Sequence, residues 1–492
     1  MFIKYICVFF IAVLLIVKAN AADSDGKEFV LTFVQDVSLS LSQVAKTTVI
    51  VIPSYNHSTC SFHYTQNTDG KVVTLTREAR YGSTNEFNLD INEVVVMFDY
   101  GQSEFENYAT KDFRIFVNCT EQVKLIGKIA DSVSGWGDLF LVPSLKNAAT
   151  HYTTFAMPMT DTDFKGTLAI LPVNKEGSIN VTITGYVNNE FFSNETIQYN
   201  TTLGQNQHYI GIYFDKISGQ ISSQNINASI AISATSPVML SFESPQSTTS
   251  DIDSNGSCGS ICYTDFVQFM PIASQPIQCN SILTGPDQRM VTDDFTTRLH
   301  VSPPNVGANC NAITNISVYN GNFGHKDQAV DSMGFTQISL MNNEFAGIST
   351  YGGQVSTNRF GSIFVSDGVA GDSPIMYGHF MHYLPSTREW VQGKTQFYTL
   401  AKRCALEIYA DNSNANAVNE INIDGHVLGS LIYQRNDIPF FKTRYSQFIV
   451  SVKGYGLHKI EFNGKYVAYV ICDGVNSYVN ANGYLTGFNQ RK

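Results

Sequence analysis

Apolar residues recur at every second position in short runs along this chain, the period of a strand with one buried face. Phe113, Ile115, Val117 and Cys119 share one side of such a run; Arg114, Phe116, Asn118 and Thr120 share the other. Amphipathic helical stretches are scarce, while turn dipeptides punctuate the strands: Asp69-Gly70, Asp367-Gly368, Asp424-Gly425, Asn463-Gly464 and Asn482-Gly483. The pattern predicts an all-β chain. Its sharpest element is Gly456–Gly474, which reads as a hairpin closed by a type I′ turn at Asn463-Gly464, with Ile460 opposite Val467 and Phe462 opposite Lys465.

Similar strand–turn–strand patterns recur. Ile115-Phe-Val-Asn leads to Val123-Lys-Leu125, Ile230-Ala-Ile-Ser to Val238-Met-Leu240, and Ile363-Phe-Val-Ser to Ile375-Met-Tyr377. Three of the four are followed by a strand that ends in proline: Gly137–Pro143, Asp265–Pro271 and His379–Pro385. Proline cannot donate to a ladder, so each reads as an edge or a strand terminus. The spacing of the first strands, at 115, 230, 363 and 460, is that of one β-sandwich of about 100 residues. Four tandem β-sandwich-like units follow, at residues 22–133, 134–262, 263–380 and 381–492.

The first 21 residues read differently. Lys4 precedes a thirteen-residue apolar run, Tyr5 to Val17, and Ala19-Asn20-Ala21 fits the small-x-small cleavage rule, as in a secretory signal. No later stretch has the length of a membrane helix, so the expectation is an extracellular protein without a membrane span. Cys7 leaves with the signal. Eight cysteines remain: Cys60, Cys119, Cys258, Cys262, Cys279, Cys310, Cys404 and Cys472. An even set in a secreted chain predicts disulfides, and eight allow 105 connectivities. Local pairing favours Cys60–Cys119, Cys404–Cys472 and two bonds among Cys258, Cys262, Cys279 and Cys310.

Eight Asn-x-Ser/Thr sequons, at Asn56, Asn118, Asn180, Asn194, Asn200, Asn227, Asn255 and Asn315, check the strand phases independently. At Asn118, Asn180, Asn227 and Asn315, the alternation that buries the neighbouring aliphatics exposes the asparagine. It also places Phe116 outward, where another segment or a glycan must cover it. No sequon follows Asn315, so the last third of the chain offers the surface free of sugar, where a partner is expected.

Charge narrows the partners. The formal net charge is −11 with no basic cluster, which argues against nucleic acid and acidic membranes. Catalytic signatures are missing: there is no Gly-x-Ser-x-Gly and no His-Glu-x-x-His. Gly393-Lys394-Thr395 has the ending of a phosphate loop, but Arg388 stands where that loop needs glycine, and the setting is β-like. Asp251-x-Asp253-x-Asn255-Gly256 copies half a calcium loop, yet Cys262 occupies the place of its closing glutamate. His379 and His382 point to opposite faces of one strand, which suits core positions better than chelation. Asp99, Glu104 and Glu106 are the carboxylates considered for a glycosidase pair.

Several short stretches carry a resemblance. Glu28-Phe-Val-Leu-Thr-Phe33, Ser236-Pro-Val-Met-Leu240, Tyr383-Leu-Pro-Ser-Thr-Arg-Glu-Trp390 and Gly456-Leu-His-Lys-Ile460 are similar to segments of the IgG Fc-binding protein N-terminal domain family. The chain departs from that pattern after Trp390, where Val391 replaces glycine, and at Val470–Gly474, where a Tyr-Gly pair belongs. The resemblance implies a secreted, β-rich recognition or mucus-type protein, and carries over no site residue. The expectation is a secreted, N-glycosylated binding or adhesion glycoprotein, possessing no cofactor and no catalytic activity, that takes an extracellular protein or glycan ligand. The alternatives are a secreted carbohydrate-active hydrolase on a β scaffold and a structural matrix or mucus component.

Overall fold

The computed structural model describes residues 22–490 apart from 37–38, 40, 99–104, 157–162, 216–227, 249–262, 307–309, 311–312, 322–323, 341–342, 366–374, 401–402, 413–416 and 442–444. The signal segment, Cys258, Cys262, Asn227, Asn255, the Asp251–Asn255 acidic stretch, Asp99 and Glu104 therefore lie outside the described residues. Within them the chain is all-β, and its two α-helices, Ile91–Val94 and Ala417–Glu420, are single turns. No helix there is long and apolar enough to cross a membrane.

One strand arrangement occurs four times. In the first unit the 17-residue strand Ile115–Asp131 crosses the whole structure. Its first half lies between Gly26–Leu31 and Ser58–Thr65, with Leu31 opposite Ile115 and Phe62 opposite Val117. Its second half lies between Trp136–Val142 and Lys46–Pro53, with Val142 and Val51 both opposite Leu125. Val72–Ala79 extends the first of these sheets and Glu86–Leu89 the second. Phe29, Leu31 and Phe62 from one sheet share a core with Val49 and Val51 from the other. The result is a sandwich whose longest strand belongs to both layers, as happens where a strand turns a corner between sheets.

Ala228–Ser247 takes that role in the second unit and Gly456–Asp473 in the fourth, each with the same four flanking positions filled. In the third unit the long strand is split into Phe345–Thr350 and Ser356–Val365 by Tyr351-Gly-Gly-Gln-Val355, and the two sheets separate into two sets of four. The second unit is also completed by its neighbour: Phe105–Thr110 from the first unit adds an outer strand beside Gln207–Asp215.

The internal repeat is thus of long strands, not hairpins. Asn463-Gly464 does not turn the chain. Neither residue has the positive φ of a type I′ turn, and the strand runs straight through. Ile460 lies opposite Thr395, and Val467 opposite Tyr409 rather than opposite Ile460. Phe462 pairs with Gly393 and Lys465 with Gln392, leaving Asn463 and Gly464 as an unpaired bulge where the strand passes from one sheet to the other. A doubled-back hairpin would have deprived Val391–Thr399 and Cys404–Asp411 of their partner. The runs from Ile115 and Ile230 are likewise continuous; Ile363 and Ile375 do stand on adjacent antiparallel strands. Where both turn residues take positive φ, at Asp424-Gly425 and Asn188-Asn189, the chain does reverse between paired strands.

The proline-ended strands close each unit. Trp136–Val142, Asp265–Phe269 and Ile375–Tyr383 pair with the end of their own long strand, as Ala481–Leu485 does in the fourth unit. The boundaries expected at 133, 262 and 380 fall before or within these strands. By strand pairing the units run from Gly26 to Val142, Ala149 to Phe269, Asp287 to Tyr383 and Val391 to Leu485. The four closing strands also touch one another in a cycle, each against two others, so the units are arranged around a common centre. Phe140, Phe269, Met381 and Tyr484, one from each, line the apolar part of that centre.

Disulfides and sequons follow the strand phases. Cys60 stands directly opposite Cys119, and Cys404 opposite Cys472, each pair with Cα atoms 4.0 Å apart and bonded. Cys279 bonds Cys310. Asn56, Asn180, Asn194, Asn200 and Asn315 are exposed, and Asn118 is half-buried. Phe116, outward on its strand, is fully covered: the Arg114 guanidinium lies 5.2 Å and the Lys175 ammonium of the second unit 4.7 Å from its ring centre.

Candidate functional site: the seam between the first and last units

At one end of the common centre the closing strands bring polar groups together. Asp265 accepts from Asn480 Nδ2 at 2.7 Å and from the Ala481 N–H at 3.0 Å. Asp138 accepts from the Gln268 N–H at 2.8 Å and from Asn482 Nδ2 at 3.3 Å. These bonds join the first, second and fourth units. Both carboxyls are buried, and desolvation raises each well above the ordinary carboxylate range against those hydrogen bonds. The nearby Asp265 carboxyl also raises Asp138 by repulsion. Enclosed on every side, this pair has the role of a structural junction.

A carboxyl whose folded pKa exceeds its unfolded value of about 3.9 binds its proton more tightly in the folded chain. Its contribution favours folding at acid pH and is lost as pH rises through the folded value. The stability advantage of the natural protein over Asp265→Asn is therefore expected to shrink as pH rises from 4 to 9. Denaturant unfolding of both proteins across that range measures it; a difference independent of pH would contradict the assignment.

The other candidates from the sequence have structural surroundings. His379 is buried with Nε2 2.8 Å from the Tyr263 carbonyl. His382 is buried and stacks on Tyr469 at 4.5 Å between ring centres. Burial lowers the pKa of both, His379 to about 4, which keeps the rings neutral. They share no ligand, and no group of three metal-binding side chains occurs among the described residues. Glu106 accepts from Tyr108 Oη at 2.5 Å. A further carboxylate, Glu389, is buried beside Arg289 and accepts from Tyr383 Oη at 2.9 and 3.0 Å.

An open concavity lies instead where the two ends of the chain meet. Ser24 N–H donates to the Phe488 carbonyl at 3.0 Å, and Gln490 N–H to Asp23 Oδ2 at 2.9 Å, so the fourth unit closes against the first. Beside this junction is a small cleft of about 60 Å³ between walls from both units, with Lys124, Tyr55 and Tyr81 on one side and Lys394 and Gln396 on the other. A cleft of that size admits a protruding group of a larger partner rather than a whole small molecule, and binding sites favour boundaries between domains.

Each wall is fixed by its own strand. Lys394 sits in Val391–Thr399, opposite Glu461 of the long strand. It donates from Nζ to Tyr81 Oη at 2.7 Å, with the ammonium 5.2 Å from the ring centre. Tyr81 follows Val72–Ala79 at a turn, where its N–H donates to His57 Nδ1 at 2.8 Å. That bond ties it to the Ser54–His57 loop carrying Tyr55 and the exposed sequon Asn56. Deeper in, Lys124 Nζ donates to Asp25 Oδ1 at 2.8 Å, and both side chains are nearly buried. Burial raises the Asp25 pKa, and Lys124 offsets this only in part. Ser54 Oγ is buried without a hydrogen-bond partner. Around the cleft Tyr398 and Tyr455 both donate to Glu86 Oε1, at 2.6 and 2.7 Å, holding the units together.

Sequence reasoning passed over this site. Lys394 drew notice only within Gly393-Lys394-Thr395, and Tyr55 and Tyr81 drew none. Over 300 positions separate Lys394 from Tyr81, so no local period joins them.

No family model matches this chain. No curated protein matches it either. Among solved structures, two marsupial T cell receptor chains are similar at 8% and 10% identity, covering 75% and 62% of this chain and 96% of theirs. Both superpose with a TM-score of 0.08.

Proposed function

We propose that this protein is a secreted, N-glycosylated extracellular recognition protein that holds its ligand in the cleft between the first and last units. The observation that carries the reading is that cleft: Lys124 and Tyr81 of the first unit and Lys394 of the fourth, held by the Lys124–Asp25 and Lys394–Tyr81 bonds, converge there beside Tyr55. Rigid aromatic walls with a few placed polar groups are what binding sites require. The fold supports the extracellular assignment through the Cys60–Cys119, Cys279–Cys310 and Cys404–Cys472 bonds, which persist in oxidising compartments. Sequons with exposed side chains support the glycoprotein assignment. The likeness to the IgG Fc-binding protein N-terminal domain family points the same way, toward recognition at a mucosal or defensive surface.

Expression of the full chain in secretory eukaryotic cells tests this. The expected product is in the medium, shifts in mobility on enzymatic removal of N-glycans, and retains a defined set of ligands on arrays of glycans and cell-surface proteins. Retention in the cell without sugar, or arrays blank at micromolar protein, would overturn it.

A further inference from the structure

One sheet of the second unit ends on a long strand with an open side. Glu190–Asn200, 11 residues long, pairs with Ser178–Val187, and no strand takes its other side among the described residues. Along it only Ile197 and Tyr199 are buried. A free edge offers unpaired N–H and C=O groups to another strand, and proteins blunt it with shortness, lysine or proline. The exposed outer strands Val72–Ala79, His325–Ala329 and Tyr433–Asp437 follow that rule: each is shorter, and each carries a basic side chain, Arg77, Lys326 or Arg435. Glu190–Asn200 has no lysine, arginine or proline, and its Phe191, Phe192, Thr196, Ile197 and Tyr199 favour strand pairing.

What it has instead is two sequons. Asn194 and Asn200 share its outward face, six residues apart and so about 20 Å along the strand. The three shorter outer strands carry none. Thr184 Oγ1 donates to Asn194 Oδ1 at 3.4 Å, and the Thr202 N–H to Asn200 Oδ1 at 3.0 Å. Both contacts use the oxygen and leave Nδ2, the atom that bears a sugar.

The strand is also self-complementary. Antiparallel pairing of two copies that keeps their outward faces together, centred on Ile197, sets Asn194 opposite Asn200. Thr196 then meets Gln198 and Glu195 meets Tyr199, with no like charges opposed. Opposed side chains stand about 5 Å apart at Cβ, so sugars on both asparagines exclude the pairing.

We propose that glycans on Asn194 and Asn200 guard this edge, and that without them the chain dimerises through Glu190–Asn200. The inference rests on the N-glycosylation in the reading above and is independent of any ligand in the cleft.

Sedimentation velocity at micromolar concentrations, on the full chain secreted from eukaryotic cells, tests this. Glycopeptide masses are expected to show sugar on both sites of the natural protein. Asn194→Gln with Asn200→Gln should self-associate about tenfold more tightly than the natural protein, with residues 190–200 gaining protection from amide exchange. Asn56→Gln with Asn315→Gln, which also removes two sequons, should behave as the natural protein. Adding Thr196→Lys and Gln198→Lys to the first variant sets lysines opposite each other across the pair and should abolish the gain. Where the first variant fails to fold, trimming the folded glycoprotein to one N-acetylglucosamine per site should produce the same association. No gain on loss of both sugars, an equal gain in the control variant, or association without protection at 190–200 would each overturn the proposal. Bare Asn194 and Asn200 in a chain glycosylated elsewhere would remove the guard while the glycoprotein reading stands. A secreted chain bare at every sequon removes both.

Discussion

Arg359→Leu is expected to destabilise the protein by about 3–5 kcal/mol, the cost of leaving one member of a buried ion pair alone. Arg359 is on the split long strand of the third unit, and Glu407 on Cys404–Asp411 of the fourth. Their side chains have no exposure and meet at 2.5 Å. The guanidinium also lies 4.9 Å from the Tyr469 ring centre. Glu407 accepts further from Tyr409 Oη and Gln447 Nε2, each at 2.7 Å, but these neutral donors do not replace a cation. Removing both charges avoids the stranded carboxylate, so Arg359→Leu with Glu407→Leu should recover most of the loss. Guanidinium unfolding of the two variants compares them. Equal losses in the single and double variants would mean that packing, not charge, dominates at this contact.

Phe380→Ala should cost a similar amount, about 3–5 kcal/mol, for a different reason. Phe380 is fully buried on the closing strand of the third unit, with Ile363, Ile471 and Ala481 around it. Two glycines make room for it. A Cβ on Gly361 would come within 2.1 Å of the ring, and one on Gly483 within 2.4 Å. The ring thus fills a space that the strands of two units leave by lacking side chains, and little can collapse into it. The reverse change is informative. Gly483→Ala alone should cost about 1–3 kcal/mol by overpacking, and should cost far less in the Phe380→Ala background. Additive losses would show that Gly483 is there for its backbone and not for the ring.

These contacts explain which parts of the fold were legible in the sequence. Alternation within a strand is a local property, so the faces around Asn118 and Asn180 and the disulfides of Cys60 and Cys404 could be read directly. The need to cover Phe116 was legible too, although its cover, Lys175, belongs to another unit. Asn463-Gly464 misled because the same dipeptide that tolerates a turn also tolerates a bulge. Only the demands of Val391–Thr399 and Cys404–Asp411 decide between them, and those lie outside the stretch. The unit boundaries shifted for a related reason: a proline-ended strand shows where it stops, but not which strand it pairs with. The seam cleft was beyond local reading altogether, since Tyr55 and Lys394 meet only through the arrangement of whole units.

The meeting of Ser24 with Phe488 at that seam sets an order of events. During synthesis the first three units emerge and can fold while the wall bearing Lys394 is still unmade, since domains fold largely as they are released. The cleft is then complete only once the fourth unit has closed against the first. A product lacking that unit could keep folded sandwiches and exposed sequons yet have only one wall of the cleft. The contact between Ser24 and Phe488 also allows a circular permutant that links these two segments, with new termini cut at the exposed Asp69-Gly70 turn. Such a permutant would turn the noncovalent seam into a covalent joint.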